Sequence, residues 1–490
     1  MHFLDWLMIA LFFLIMIIIG FSAYKRVSGS DDYFVAGGKL PWWLAGISHH
    51  LGGYSGAVFV AYAGLAYTHG FSIYVWWALT IVAAVILGAY TIAPRWARLR
   101  INYNVQSPTE YLSIRYNVPT QQLMAWCGVL LKLFDVGAKW AAIGILLNVF
   151  TGLPISYGIL ISGIVSLIYI TVGGIWADVW TDMAQFIVQI IASLVMFFVV
   201  MNKLGGIGSV FTMWDQLPAA NSQLFNEPYT AWYVFFYFFV VFLSYNGGTW
   251  NLATRYIASP SAKEAKKSAI FSGVLYLFIP LFIFIPMWAA PLIMPNLADP
   301  TQSYALMAQE LLPAGLVGLV LAGLFAATMS MTSSDANTIS AVITRDILPT
   351  MSEKYKNMTR KQSLTIARVT TFTFTFITLI IGIQADRFGG VLGLVISWFG
   401  ALIGPISIPM LLGLFPIFKH SGSSAAITSI LSGLVMFVIT KYFVDWPLSL
   451  EIGSPVLVSG IIFITMGLLN RSKVLDPNVE ILLKAVSSDK

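Results

Sequence analysis

The sequence predicts an all-α integral membrane protein of about 13 transmembrane helices, with two inverted five-helix repeats at its centre and further helices flanking them. Three observations predict it. The 490-residue chain is 58% hydrophobic and 10% charged, where a soluble protein carries roughly 25% charged residues. Its apolar residues gather into thirteen segments near the ~20 residues that span a bilayer. Two of those segments are interrupted by glycine and polar residues at corresponding places.

The segments fall at about 4–24, 43–67, 71–94, 119–150, 154–174, 177–202, 229–254, 267–295, 312–346, 365–384, 389–416, 422–442 and 450–470. The first has no basic start and no small-residue cleavage site, so it reads as a retained helix and not as a signal peptide. Single Cys127 leaves no internal disulfide. The formal charge of +6 is unevenly placed. Twenty-two Lys and Arg fall in loops on one side, while Lys203, Arg387 and Lys441 fall on the other. Positive-inside logic puts the richer side in the cytoplasm, the N-terminus outside and the C-terminus inside a plasma (inner) membrane. The charge is topological and calls for no nucleic acid; no obligatory protein partner is evident either.

The second segment contains "LGGYSG" (51–56) and the seventh contains "SYNGGT" (244–249). They open two consecutive groups of five helices. An odd number of crossings separates the groups, so they enter the membrane in opposite senses. Unwound backbone survives in a bilayer only beside a protein-lined cavity. Its freed carbonyls serve a hard cation, and its half-helix ends point dipoles at a solute. One Gly-Gly pair serves close helix packing; two in matching positions, with Asn, Ser and Thr alongside, point to a binding site at the midplane. The chain divides accordingly: residues 1–42 as an extra helix and loop, 43–202 and 229–416 as the repeats, 203–228 as an extracellular loop, and 417–490 as two further helices and a cytoplasmic tail.

The ninth segment, "AATMSMTSSDANTISAVITRDI" (326–347), carries Ser330, Ser333, Ser334, Asn337 and Thr338 at helical spacings of three and four. Such a stripe supplies oxygens to a hard cation, although single serines in membrane helices often bond back to the preceding turn. The sixth segment adds Asp178 and, one turn deeper, Asp182. Asp178 reads as an interfacial residue. Asp182 reads as functional, because a carboxylate inside the membrane is costly. The fourth segment holds Lys132, Asp135 and Lys139 on one helical face in "LLKLFDVGAKW". These read either as an internal salt bridge or as a pocket for a polar solute. His49 and His50 read as hydrogen-bonded structural residues, without metal-like spacing to a third ligand.

"DDYFVAGGKLPWW" (31–43), "VGGIWADVWTD" (172–182), "TRYIASPSAKEAKKSAI" (254–270) and the A-x-x-S-x-x-S-S-x-x-N pattern from Ala327 resemble the sodium:solute symporter family over nearly the whole chain. The resemblance implies the leucine-transporter fold and one or two sodium ions. It implies a sodium site at the backbones of Leu51, Tyr54 and Ala327 and the hydroxyl of Ser330. The second usual hydroxyl falls on Met331, a soft thioether unsuited to a hard cation. A further sodium site, found in some members, falls on Asp182, Ser330, Ser333 and Ser334. Solute positions carried over from sugar-transporting relatives fall on Ser55, Val58, Trp76 or Trp77, Thr249, Tyr276 and Ser397; Asp135 and Lys139 join them from the residues themselves. The function expected is sodium-coupled import of a small polar solute by alternating access, with a sugar, sugar acid or glycoside first. An amino acid, carboxylate or organic cation, and proton in place of sodium, stay open. A channel filter and a catalytic constellation are not visible in the sequence.

Overall fold

A computed structural model describes residues 1–388, 403–472 and 474–488. Among them the regular structure is helical, and nine helices are long and apolar enough to cross a membrane. The remaining predicted crossings are accounted for individually. The first broken helix has halves too short to qualify, Trp42–Leu51 and Ala61–His69. Val118–Thr151 carries the Lys-Asp-Lys face. Of the eleventh segment, Gly404–Leu412 is described. The fifth and sixth segments run on as Ile155–Lys203, which reaches φ 53° and ψ −143° at Gly174. Forty-nine residues are too long for one crossing at 1.5 Å per residue, so Gly174 divides two. A side chain there would meet the Tyr33 carbonyl at 2.4 Å, and only glycine adopts such a backbone cheaply.

The hydroxyl-bearing helix Leu316–Val342 is buried around nearly its whole circumference. It packs against Ile155–Lys203, Val118–Thr151 and the first helix, Phe3–Tyr24. Its N-terminal end is fixed by the first helix: Asp5 accepts the Gly315 and Gly318 amides at 2.7 and 3.0 Å, a carboxylate meeting unpaired N–H groups. Its lower stripe is structural. Asn337 donates to the Tyr33 carbonyl at 2.9 Å and Ser340 to that of Ala367 at 2.7 Å.

Ala262–Ile293 covers Trp42–Leu51, and Arg360–Ile383 lies along Val118–Thr151. Ser423–Tyr442 pairs with Leu448–Leu469 at the periphery. The short amphipathic helix Pro477–Ser487 packs on Ala93–Tyr103, where Arg95 donates to Ser487 Oγ at 2.8 Å.

Candidate functional site

The first break lies where the sequence put it. Trp42–Leu51 ends, Gly56–Phe59 forms a single 3-10 turn, and Ala61–His69 resumes. Side chains from other helices take up most of the freed carbonyls. Tyr276 donates to His50 O at 2.6 Å, Asn251 to Gly52 O at 2.9 Å and Tyr245 to Gly53 O at 2.7 Å. The Gly56 amide donates to Thr328 Oγ1 at 3.0 Å. Leu51 O receives the Tyr54 amide at 3.5 Å, the outer limit for a hydrogen bond.

Gly53 is required by this clustering, because an added Cβ would lie 2.0 Å from Tyr276 Oη. Gly53→Ala is expected to cost about 1–3 kcal/mol through overpacking, read as a lower apparent melting temperature in detergent. Adding Tyr276→Phe removes the obstructing oxygen and is expected to recover part of that loss; no recovery would contradict the contact.

The second break opens after Ala231–Leu243, with Gly247 at φ 123°, and closes before Asn251–Ile257. Trp250 adopts φ 71°, a strained backbone for an aromatic residue. Its indole is held where Gly128 leaves room. Asn246 donates to Ala84 O and Phe242 O, and Trp96 donates to Asn246 O at 3.0 Å. Thr249 donates to Ser244 O at 3.1 Å, so its hydroxyl closes the break itself.

Below the first break lies a buried group of two aspartates, an arginine and four serines. Arg255, from the end of the second broken helix, bonds Asp178, Ser334 and Ser48, the last at 2.9 Å. It stands 3.6 Å from Asp182. Ser333 and Ser334 donate to Asp178, whereas Asp182 Oδ2 receives Ser48. The interfacial reading of Asp178 is therefore corrected: it is fully buried, because Arg255 folds back into the bundle and neutralises it. Arg255 counted in the sequence as a loop charge, and its partners lie 77 and 79 residues away. Asp182 Oδ1 and Ser330 Oγ are different. Both are buried and neither makes a hydrogen bond of full geometry; Ser330 faces the Asp182 carboxylate closely enough to interact with it. A carboxylate oxygen beside a hydroxyl, neither fully hydrogen-bonded, is the donor set a hard cation completes. Met331 is buried at the next position, and Ala327 is buried two residues after Phe325 on the same helix.

The Lys-Asp-Lys face has a partner that the sequence did not reveal, Asp335. Lys132 reaches Asp135 at 3.0 Å and Asp335 at 2.6 Å; Lys139 reaches Asp135 at 2.7 Å and Asp335 at 2.6 Å. All four are buried. Two cations and two anions close a neutral ring between Val118–Thr151 and Leu316–Val342, as buried charges require. Asp135 and Lys139 thus stand in an ion-pair network.

Of the other solute candidates, Trp77 and Tyr276 cluster with the ring of Tyr54 around the first break, ring centroids 5.9 to 6.2 Å apart. Trp76 stacks on Tyr229 at 5.0 Å and abuts Tyr233 and Tyr237. Ser55 accepts the Ala57 amide at 3.3 Å, and Val58 is buried in the 3-10 turn. Ser397 lies outside the described residues. His49 bonds Ser272, the Tyr245 carbonyl and Tyr256 at 2.7, 3.0 and 2.8 Å, which fits the structural role.

Comparisons with known proteins bear on the family and the fold. The chain is 25% identical to a sodium/glucose cotransporter of Vibrio parahaemolyticus, over 92% of this chain and 87% of that one. It is 27% identical to the sodium/sialic acid symporter NanT of Aliivibrio fischeri, over 87% and 86%. Its fold matches that of a Na+-coupled sialic acid symporter in a substrate-bound outward-open state (TM-score 0.85, 23% identity, covering 96% of this chain and 98% of that one). It also matches, more distantly, the nucleobase-cation symporter Mhp1 (TM-score 0.57, 15% identity, 91% and 96%). The model of the sodium:solute symporter family matches residues 33–433. This chain, with its leucine-transporter-type fold, belongs to the sodium:solute symporter family: it is a multi-pass membrane transporter that couples sodium to a small solute, and not an enzyme.

Proposed function

We propose that the coupled sodium ion binds between Asp182 and Ser330 and that the solute is a sugar or glycoside held beside the first unwound stretch. The observation that carries the sodium reading is the pair of buried oxygens without a hydrogen bond of full geometry, Asp182 Oδ1 and Ser330 Oγ. Sodium there draws Leu316–Val342 toward Ile155–Lys203 and favours the state open to solute. Each inward charge contributes about 2.3 kcal/mol per 100 mV of membrane potential. Ser333 and Ser334 hold Asp178 in place beneath the ion, with Arg255 as its counter-charge. A second ion at Leu51, Tyr54, Ala327 and Ser330 is weak, because Met331 withholds an oxygen.

The solute reading is supported by the rings of Tyr54, Trp77 and Tyr276 around the break, suited to the apolar face of a sugar. Both lysines of the nearby helix are engaged by Asp135 and Asp335, which favours an uncharged solute over a sugar acid. The named relatives, one for glucose and one for sialic acid, span this choice. The charge distribution supports an N-terminus outside and a C-terminus inside a plasma membrane, with the repeats at 43–202 and 229–416.

Uptake into proteoliposomes tests the reading. Sugars are expected to accumulate under an imposed sodium gradient; accumulation under a proton gradient alone, or of amino acids or organic cations instead, would overturn it. Met331→Ser restores the missing hydroxyl and is expected to raise sodium affinity about five- to tenfold by adding one hard ligand. Its Hill coefficient should rise above that of the wild type, and an unchanged sodium curve would count against the weak second site.

A further inference from the structure

Gln185 and Gln189 follow Asp182 at spacings of three and four on Ile155–Lys203, so the three side chains share one face. Both glutamines are buried; neither amide makes a hydrogen bond of full geometry, and Gln189 has the Tyr54 hydroxyl as a near polar neighbour. An unpaired buried polar group is destabilising, and apolar residues would pack this face without that cost. The row continues from the oxygens of Asp182 and Ser330. At its far end the Tyr54 hydroxyl meets His50 Nε2 at 3.3 Å. His50 Nδ1 is also buried without a partner, and its ring packs 6.0 Å from that of Phe186, the residue after Gln185. The hydroxyl-bearing helix closes the other side, where Gly323 packs closely on Ala192, one turn beyond Gln189.

We propose that Gln185 and Gln189 form an intermediate lane for the cation between the unwound stretch at Tyr54 and the Asp182–Ser330 pair. This rests on the reading of that pair as the sodium site. Amide oxygens are hard ligands, as sodium requires, and the amide nitrogens hold water that travels with the ion. Neutral ligands bind an ion firmly enough to admit it and weakly enough to release it. A carboxylate at either position would trap it.

Stopped-flow tryptophan fluorescence after a sodium jump tests the lane, because Trp77 adjoins Tyr54. An equilibrium sodium titration of the same purified protein supplies the second readout. Gln185→Met with Gln189→Met preserves side-chain length and removes the hard oxygens. This variant is expected to slow the sodium-dependent change about tenfold while moving the equilibrium midpoint less than about threefold, as a transit site requires. The single variant Gln189→Leu, expected to slow it less, serves if the double variant does not fold. Wild-type rates would overturn the lane. So would an equilibrium loss as large as that of Asp182→Asn, which would make the glutamines part of the binding site itself. Wild-type rates in the glutamine variants, with sodium binding lost in Asp182→Asn, would overturn the lane alone; intact sodium binding in Asp182→Asn would overturn the site assignment on which the lane rests.

Discussion

Asp182→Asn is expected to abolish sodium-stimulated transport. The asparagine keeps the volume and can still accept the bond from Ser48, so the helix junction is retained. What is lost is the charge opposite the ion. Removing one partner of a buried charge pair costs about 3 kcal/mol or more, which corresponds to about a hundredfold or greater fall in sodium affinity. Arg255 stays neutralised by Asp178, so the variant is expected to remain folded. Residual uptake should no longer respond to sodium. Sodium activation within about threefold of wild type, less than 1 kcal/mol, would move the ion elsewhere.

The largest expected effect on stability is that of Asp335→Asn. It leaves two buried lysines sharing one carboxylate, Asp135. Breaking a buried pair in this way costs about 3–5 kcal/mol, whereas exchanging the whole pair for uncharged groups is often tolerated. Asp335→Asn combined with Lys132→Met restores neutrality and is expected to regain more than half of the lost thermal stability. Sodium affinity per folded molecule should change little in the double variant. A single variant as stable as wild type would contradict the ring, and a double variant no better than the single would mean that packing, not charge, is the cause.

The sequence made the breaks legible because glycine and polar clusters stand out against apolar runs. Asp182 stands out for a similar reason, as a carboxylate within an apolar segment. What it hid were partners far along the chain. Asp335 sits inside a serine-rich stretch that reads as a hydroxyl stripe, and its lysines are 203 and 196 residues away. Asp178 lies at the edge of an apolar segment, and hydropathy alone assigns such a residue to the interface. Arg255 brings the countercharge that buries it. Between the fifth and sixth segments the helix runs on without a loop, and one glycine with positive φ divides them. The serines divide for geometric reasons: Ser333 and Ser334 turn toward Asp178 and Ser330 toward Asp182, a difference of one helical turn that residue type does not reveal.

Binding of 22Na+ to the purified protein, without solute, tests the central assignment most directly. The wild type is expected to bind sodium saturably, with potassium failing to compete, and Asp182→Asn to lose that binding while remaining monodisperse. Undiminished 22Na+ binding by Asp182→Asn would contradict the account.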